Sequence, residues 1–190
     1  MSPVNLRNAT IAPPANDKIS NIANQEIGRF GLSAGIDAIR FESVDISNVG
    51  TSMISTIAAS ATGVELREVS GNTLLAIGSI SGQTISFSGV NFLIPSYTTT
   101  NLKIVLVDVG TLDPYYGQTL ILTTNSGSMG VVRDSDNAPL IVDESMYSTG
   151  GMKPYTISIV PPIVTLTANN PLNTSNRIGI LHIANADIGT

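Results

Sequence analysis

The sequence predicts an all-β protein, an antiparallel β-sandwich with extended N- and C-terminal tails. Two observations lead to this prediction. Segments in which apolar and polar residues alternate, and in which β-branched residues are frequent, recur along the chain, as in "NLKIVLVDVG" from Asn101 to Gly110. Short turn sequences such as "SGN", "SGQ" and "NSGS" separate these segments, with no long helical pattern between them.

The predicted strands follow one another from Ala38 onward. "AIRFESVDIS" alternates apolar and polar positions and changes face midway, "GVELREV" alternates throughout, and "QTISFSGVNFLIP" shifts register at a glycine. Pro95 ends the last of these strands, because proline cannot donate a ladder hydrogen bond. The segment from Ser47 to Gly63 is ambiguous. Its apolar spacing suits one or two helical turns, but its serine, threonine and glycine content opposes a helix.

Composition limits the classes of function. The chain has 190 residues, of which 42% are hydrophobic and 12% are charged, with a net charge of -5 and no cysteine. This length and hydrophobicity suit one large folded domain. The basic residues stand singly, so we expect no nucleic-acid binding, and the lack of cysteine excludes thiolate catalysis and thiolate metal sites. No apolar segment is long enough to predict a membrane span, and the first residues lack the pattern of a signal peptide.

Catalytic signatures are missing from the sequence. The single histidine, His182, is accompanied by no G-x-S-x-G or comparable partner motif. The sequence also contains no phosphate-binding loop and no dinucleotide-binding pattern. We therefore predict that the protein is not an enzyme, that it needs no cofactor, and that His182 is an edge or interface residue of a strand.

A weak candidate for a calcium site lies in "RDSDNAPLIVDE". Asp134, Asp136 and Asn137 supply oxygen ligands at the short spacing of a loop that wraps Ca²⁺. The complete loop pattern, with its central glycine and terminal glutamate, is absent. An ordinary solvated turn is the favoured interpretation, and we predict no metal site.

Two features relate to carbohydrate. The sequons at Asn8 and Asn173 lie in polar segments where a covalent glycan would stay in water, although chance alone produces such sequons in a chain rich in Asn, Ser and Thr. The turn "DPYYG" contains Tyr115 and Tyr116, whose rings could stack on a sugar. Tyrosine pairs in turns more often pack over the end of a sandwich.

The end of the chain imitates its beginning. We divide the chain into an extended N-terminal tail (1–24), a β-sandwich (25–168) and a linker with a C-terminal strand (169–190). "NQEIGRFGLSAGID" in the sandwich and "NRIGILHIANADIG" in the last segment share an Ile-Gly pair, an apolar stretch and small residues around an Asp. "ATIAPPAN" and "VTLTANNP", which precede them, both combine a threonine-containing strand with a Pro/Asn linker.

A repeated first strand suggests exchange of strands between subunits. A sandwich that lacks one strand exposes core side chains and unpaired backbone groups, and a strand from a neighbouring subunit satisfies both. Such a contact is head-to-tail and propagates into a filament of identical subunits. Two alternatives stay open: the chain is a slice of a tandem protein, or the strand folds back into its own sandwich. The predicted anchoring residues of the donated strand are all apolar: Ile178, Ile180, Leu181, Ile183 and Ile188.

A resemblance to known surface proteins covers about Gln25 to Thr124. It is carried by "EIGRFGLSAGIDAIRFESVDI" and by "VELREVSGNTLLAIGSISGQTISFSGVNFLIPSYTTTNLKIVLVDV". These segments resemble the immunoglobulin-like modules repeated in large surface proteins of uncultured bacteria, and their plan is similar to that of subunits of thread-like pili and other donor-strand-exchange fibres. The resemblance implies an Ig-like sandwich, an extracellular location and a structural role. The chain departs from the pilin pattern because it shows no recognisable leader.

Together these observations predict a structural subunit of an extracellular, pilus-like filament. The filament is a homopolymer assembled by intersubunit β-strand complementation, and it is a glycoprotein if the sequons carry glycans. The alternatives are a carbohydrate-binding or adhesive Ig-like module of a larger surface protein and a viral structural subunit. The filament prediction implies multimers that resist denaturant. The binding-module prediction implies a monomer whose function depends on Tyr115 and Tyr116.

Overall fold

The structure, a computed structural model, describes residues 4–15, 18–110, 112, 115–147 and 151–158, together with the backbone of the strands Ile163–Thr167 and Ile180–Ala184. The chain forms two compact units, Met1–Ser158 and Ile159–Thr190. We call the first unit the body and the second the C-terminal unit.

Short strands make up most of the body. It also contains a single-turn helix, α1 (Ile54–Ile57), and a 3-10 turn at Ser126–Ser128. The C-terminal unit contains β15 (Ile163–Thr167) and β16 (Ile180–Ala184). The strands of the body, in chain order, are β1 (Val4–Asn8), β2 (Lys18–Ile19), β3 (Gln25–Ser33), β4 (Ile39–Asn48), β5 (Val64–Glu68), β6 (Leu74–Ser81), β7 (Thr84–Phe87), β8 (Phe92–Ile94), β9 (Thr99–Leu106), β10 (Thr119–Leu120), β11 (Leu122–Thr123), β12 (Met129–Arg133), β13 (Val142–Met146) and β14 (Tyr155–Ile157).

The all-β prediction is confirmed. The ambiguous segment between Ser47 and Gly63 contains α1, which spans only Ile54–Ile57. Both end residues of α1 are buried, and Ala58 directly after it is already extended. Packing of the two isoleucines therefore stabilises this single helical turn. A helix of this length would not be stable on its own.

One large sheet dominates the body. Its strands follow the order β11-β4-β7-β6-β5-β9-β3-β1-β13, and β12 and β8 also pair with β4. Within this order β6 changes partner along its length, because Leu74–Gly78 pair with β5 and Ser79–Ser81 pair with β7. The body also contains a separate sheet of three strands in the order β10-β14-β2.

The large sheet curls so that distant strands pack against each other. Phe30 of β3 and Phe41 of β4 meet edge to face with ring centroids 6.5 Å apart, although several strands separate β3 from β4 in the sheet order. Both rings are fully buried. Gly78 allows a close approach at the point where β6 changes partner, because a Cβ there would stand 2.7 Å from Cε1 of Phe87.

Pairing in the body is not antiparallel throughout, so this part of the fold prediction is corrected. β1 is parallel to β13, and β2 is parallel to β14. The partners in each pair come from opposite ends of the body, so no short hairpin links them. A hairpin forces its two strands to run antiparallel, whereas strands joined through a long intervening chain are free of that constraint.

The predicted domain boundaries at residues 24 and 168 stay a prediction. β1 and β2 fall within residues 1–24, where we predicted an extended tail, and both pair with strands of the body. The boundary between the two compact units follows Ser158.

Candidate functional site

The C-terminal unit contains an antiparallel hairpin formed by β15 and β16. Five residue pairs define its register, from Ile163 opposite Ala184 to Thr167 opposite Ile180. Three of the predicted anchoring residues, Ile180, Leu181 and Ile183, lie in β16. The other two, Ile178 and Ile188, lie outside the described residues.

The register places aliphatic residues opposite aliphatic residues. Val164 pairs with Ile183, and Leu166 pairs with Leu181. A third aliphatic pair, Ile163 with Ala184, belongs to the alternate set of positions, together with the pairs that contain Thr165 and Thr167. Since alternate positions of a ladder share a face, the first two aliphatic pairs share one face of the hairpin and the third falls on the other.

The hairpin is an incomplete sheet within the described residues. β15 and β16 form a sheet of two strands, and neither strand contains Asp, Glu, Lys or Arg. An isolated two-stranded hairpin is marginally stable in water and gains stability from a third strand. Strand edges without charge or proline are open to pairing with another chain.

The body has a charged edge at β13, the last strand in the sheet order. Asp143, Glu144 and Ser145 of β13 are exposed. The backbone amide of Ser145 donates to Asp143 at 2.8 Å and lowers the pKa of that carboxyl below its usual value. The amide of Ser126 donates to Glu144 at 2.9 Å. Negative charge on an edge strand opposes unspecific strand addition.

A second edge of the body, along β6, carries no charge. β5 pairs with one side of Leu74–Gly78, and no described strand pairs with the other side of this stretch. Leu74 and Ile77 are exposed to 46% and 59%. The ladder with β5 is interrupted at Leu75 by a register shift, which is typical of a β-bulge.

Charged side chains on β3, β9 and β5 form a compensated cluster. Arg29, Lys103 and Arg67 lie opposite one another across these strands. Arg29 is paired with Glu26 at 2.5 Å and Arg67 with Glu65 at 2.6 Å. Both carboxylates are therefore engaged by guanidinium groups.

A shallow depression of about 380 Å³ lies beside the first sequon and includes Asn8, Arg29 and Lys153 among its lining residues. The ammonium of Lys153 lies 5.3 Å from the ring centre of Tyr155 and donates to the carbonyl of Pro14 at 2.6 Å. Burial raises the pKa of Tyr155 to about 12, so its phenol stays protonated at neutral pH. Acid–base chemistry near pH 7 would need a group with a pKa close to that pH.

The first predicted sequon, Asn8 to Thr10, lies at the end of β1. Asn8, the last residue of β1, is exposed, as a glycan acceptor must be. The Thr10 hydroxyl of the same sequon is bonded to the Asn101 side chain, which donates to it at 2.8 Å. Asn173 lies outside the described residues.

The weak calcium candidate is a turn whose carboxylates bind arginines. Asp134 forms an ion pair with Arg40, and Asp136 forms one with Arg133 at 2.8 Å. Asp136 also accepts a hydrogen bond from the amide of Ala138, which closes the turn around Asn137. Within the described residues no group of three or more His, Cys, Asp or Glu side chains is placed to hold a metal ion.

The two tyrosines of the "DPYYG" turn lie in different environments. Tyr115 packs partly buried against the core, whereas Tyr116 is 64% exposed. Their rings therefore do not share one solvent-facing platform, and the sugar-binding prediction would depend on Tyr116 alone.

Alanine substitutions at these two tyrosines are expected to differ in their effect on stability. Tyr116→Ala should change the free energy of unfolding by less than about 0.5 kcal/mol, as surface substitutions usually do. Tyr115→Ala should lower it by roughly 2 kcal/mol, because contacts with the core are lost. Urea denaturation of both variants checks this, and equal losses would contradict the difference in packing.

Comparisons with known proteins identify no relative. No family model, no curated protein and no solved structure matches the chain. In the part of the chain that the structure describes, no helix has the length and hydrophobicity needed to cross a membrane. The hairpin β15–β16, which sequence patterns indicated only as a strand and its approach, is the most distinctive candidate site. Its pairing could not be derived from the pattern of either strand alone.

Proposed function

We propose that the chain is a structural subunit of an extracellular filament, joined head-to-tail to identical subunits through the hairpin β15–β16. The body then acts as a rigid, Ig-like sandwich, and the C-terminal unit of one subunit completes a sheet in the next. The contact between Phe30 and Phe41, which brings two faces of the sheet together, supports the sandwich description of the body.

The incomplete, uncharged hairpin is the observation that supports this proposal. It is separate from the body as a compact unit and consists of two strands among the described residues. A partner that adds strands to its edges would supply the backbone hydrogen bonds that hold a donated segment, and the aliphatic pairs would fix its register.

The proposed contact joins subunits head-to-tail. The donated segment and the surface that receives it are different parts of the chain, so donation that is not reciprocated by the same neighbour gives a heterologous contact. A heterologous contact repeats from subunit to subunit unless its rotation closes a ring. The charged edge at β13, with Asp143 and Glu144, disfavours lateral addition of strands at that side.

Removal of the C-terminal unit is expected to abolish filaments and leave the body folded. We compare the full chain with a variant that ends at Ser158, using electron microscopy for assembly and circular dichroism for the body. A matched control, Ile77→Lys in the full chain, places a charge on the β6 edge and should leave assembly intact. Monomers from the full chain under all conditions, or filaments from the truncated variant, would refute the proposal.

A further inference from the structure

We infer that the hairpin β15–β16 is a second copy of the opening hairpin β1–β3, and that it binds a neighbouring body in the place of β1–β3. This inference rests on the proposed function and names the partner surface for the same hairpin. The partner is a second copy of the body, with its β9 facing β16 and its β13 facing β15.

The repeated Ile-Gly pair gives an independent alignment of the two hairpins. With Ile178-Gly179 placed on Ile27-Gly28, Phe30 of β3 corresponds to Leu181 of β16, and Leu32 corresponds to Ile183. Ser33 then corresponds to Ala184, the last residue of β16.

The register of the first hairpin follows a regular ladder. β1 runs antiparallel to β3, with Leu6 opposite Leu32 and Asn8 opposite Phe30. In the second hairpin, β15 runs antiparallel to β16, with Val164 opposite Ile183 and Leu166 opposite Leu181. Both hairpins therefore pair an earlier strand with the strand of the Ile-Gly segment, in the same orientation and over corresponding positions of that segment.

Corresponding positions also agree in polarity where burial matters most. Leu6, Phe30 and Leu32 are fully buried in the body. The alignment places aliphatic residues at all of these positions in the second hairpin: Val164, Leu181 and Ile183. The same register places Leu166 at the position of the exposed Asn8, so three of these four positions agree in polarity. A one-residue slip would exchange the two faces of a strand, and the three agreeing positions support this register.

The structure corrects one detail of the repeat that sequence patterns indicated. The pattern placed "VTLTANNP" against "ATIAPPAN", which begins at Ala9. The strand that pairs with β3 is Val4–Asn8, directly before that segment. Ladder positions thus place Val164 against Leu6, whereas the sequence pattern places it against Ala9. The order of strand, linker and Ile-Gly strand is the same in both alignments.

This correspondence predicts which strands can pair with the two edges of the hairpin β15–β16. In the body, β3 pairs with β9 through eight antiparallel residue pairs, and β1 pairs with β13 in parallel. A copy of this hairpin is therefore shaped for an antiparallel strand along β16 and a parallel strand along β15. In a second body, β9 and β13 lie at the correct separation, because that body's own β1 and β3 lie between them. The hairpin can bind there only when it displaces that body's β1 and β3.

The uncharged β6 edge does not meet these requirements. Its open stretch is limited to Leu74–Gly78 and is distorted at Leu75, so it cannot reproduce the long β3–β9 ladder. The β6 edge also offers a single strand for pairing, whereas a hairpin in the place of β1–β3 pairs with two strands, β9 and β13. We therefore assign β9 and β13 of a second body, and not β6, to the hairpin.

The test asks whether β15–β16 can replace β1–β3 within one chain. Asn185 corresponds to Ala34, so residues 35–158 are appended directly after Asn185 of the full chain. The appended segment lacks its own β1, β2 and β3. The hairpin can replace β1 and β3, and β2, which pairs with β14 in the small sheet, is absent from both this variant and its control. The large sheet of the appended segment can therefore form only if β15–β16 supplies the two missing strands. In limited proteolysis with mass spectrometry, we expect cleavage of the appended segment to be about 100-fold slower than in the control described next, because cleavage follows the open population.

The control carries the same appended segment directly after Ser158 and so lacks the hairpin. Rapid cleavage of the appended segment in both variants would overturn the inference, because the hairpin would then fail to complete a body. Slow cleavage in both would also overturn it, because the segment would not need the hairpin. The measurement is made on monomeric fractions, so it is independent of filament formation. If the full chain forms no filaments while the appended segment is protected, the proposed function fails and the correspondence of the hairpins stands.

Discussion

Replacing Asn48 by alanine is expected to lower the free energy of unfolding by about 4 kcal/mol, because the change leaves several buried backbone groups without partners. Asn48 ends β4 and is only 6% exposed. Its carboxamide oxygen accepts from the amides of Gly50 at 2.9 Å and Ile121 at 3.0 Å. Its nitrogen donates to the carbonyl of Ser52 at 2.7 Å.

The position of Asn48 explains why no other side chain would serve. The chain turns away from the sheet after β4, and the segment from Val49 to Ser52 lies against the segment around Thr119 and Ile121. One carboxamide supplies both the acceptor and the donor that this junction needs. Gly50 allows the approach, since a Cβ there would stand 2.2 Å from the carbonyl oxygen of Thr119.

Urea denaturation followed by circular dichroism measures the effect of Asn48→Ala. Asn125→Ala is the matched control, because Asn125 is exposed and its side chain accepts one hydrogen bond, from the hydroxyl of Ser128. We expect the control to cost less than about 1 kcal/mol. Similar losses in the two variants would mean that the buried network at Asn48 contributes little.

Sequence patterns predicted the strands of the body well where alternation was strong. "NLKIVLVDVG" contains most of β9, and "AIRFESVDIS" corresponds closely to β4. Over most of β4 the alternating positions are the inward and outward faces of the sheet, so local periodicity carries the information. β9 is buried on both faces near its end, where Ile104, Val105 and Leu106 follow one another. The strands β10 and β11 have two residues each, which is too few for an alternation of apolar and polar residues to be recognised.

Sequence patterns could not predict which distant strands pair with each other. The parallel contact of β1 with β13 joins segments near the two ends of the body, and neither segment encodes the direction of its partner. The network around Asn48 was missed for the same reason. An asparagine at the end of a strand resembles an ordinary turn residue, and only its distant partners at Ile121 and Ser52 distinguish it.

The candidate site was predictable in part. The repeat of Ile-Gly and the apolar residues after it indicated a strand from Ile178 to Ile188, and β16 (Ile180–Ala184) lies within that range. The threonine-containing segment before it indicated a second strand, which is β15. Composition does not show that these two strands pair with each other. The ladder shows this pairing, and its register matches that of β1 and β3.

Thr165→Pro in β15 is expected to weaken subunit association roughly 100-fold, because proline removes a ladder hydrogen bond and leaves its acceptor without a partner, at a cost of up to about 3 kcal/mol. Thr165 is the central residue of β15 and lies opposite His182. Its amide faces either β16 or the outer edge of β15. In the first case proline disrupts the hairpin, and in the second it removes a donor from the ladder that we assign to β13 of the next body.

The control for this substitution is Thr165→Val, which keeps the backbone amide and the β-branched shape. Filament yield in electron microscopy, measured over a range of protein concentrations, should fall for Thr165→Pro and not for Thr165→Val. The free energy of unfolding of the body should be the same in both, since Thr165 belongs to the other compact unit. Unchanged assembly by Thr165→Pro would mean that subunits associate without the β15 ladder. Lost assembly together with a destabilised body would mean that β15 is part of its own body's fold, and the head-to-tail joint would then have to be sought elsewhere on the chain.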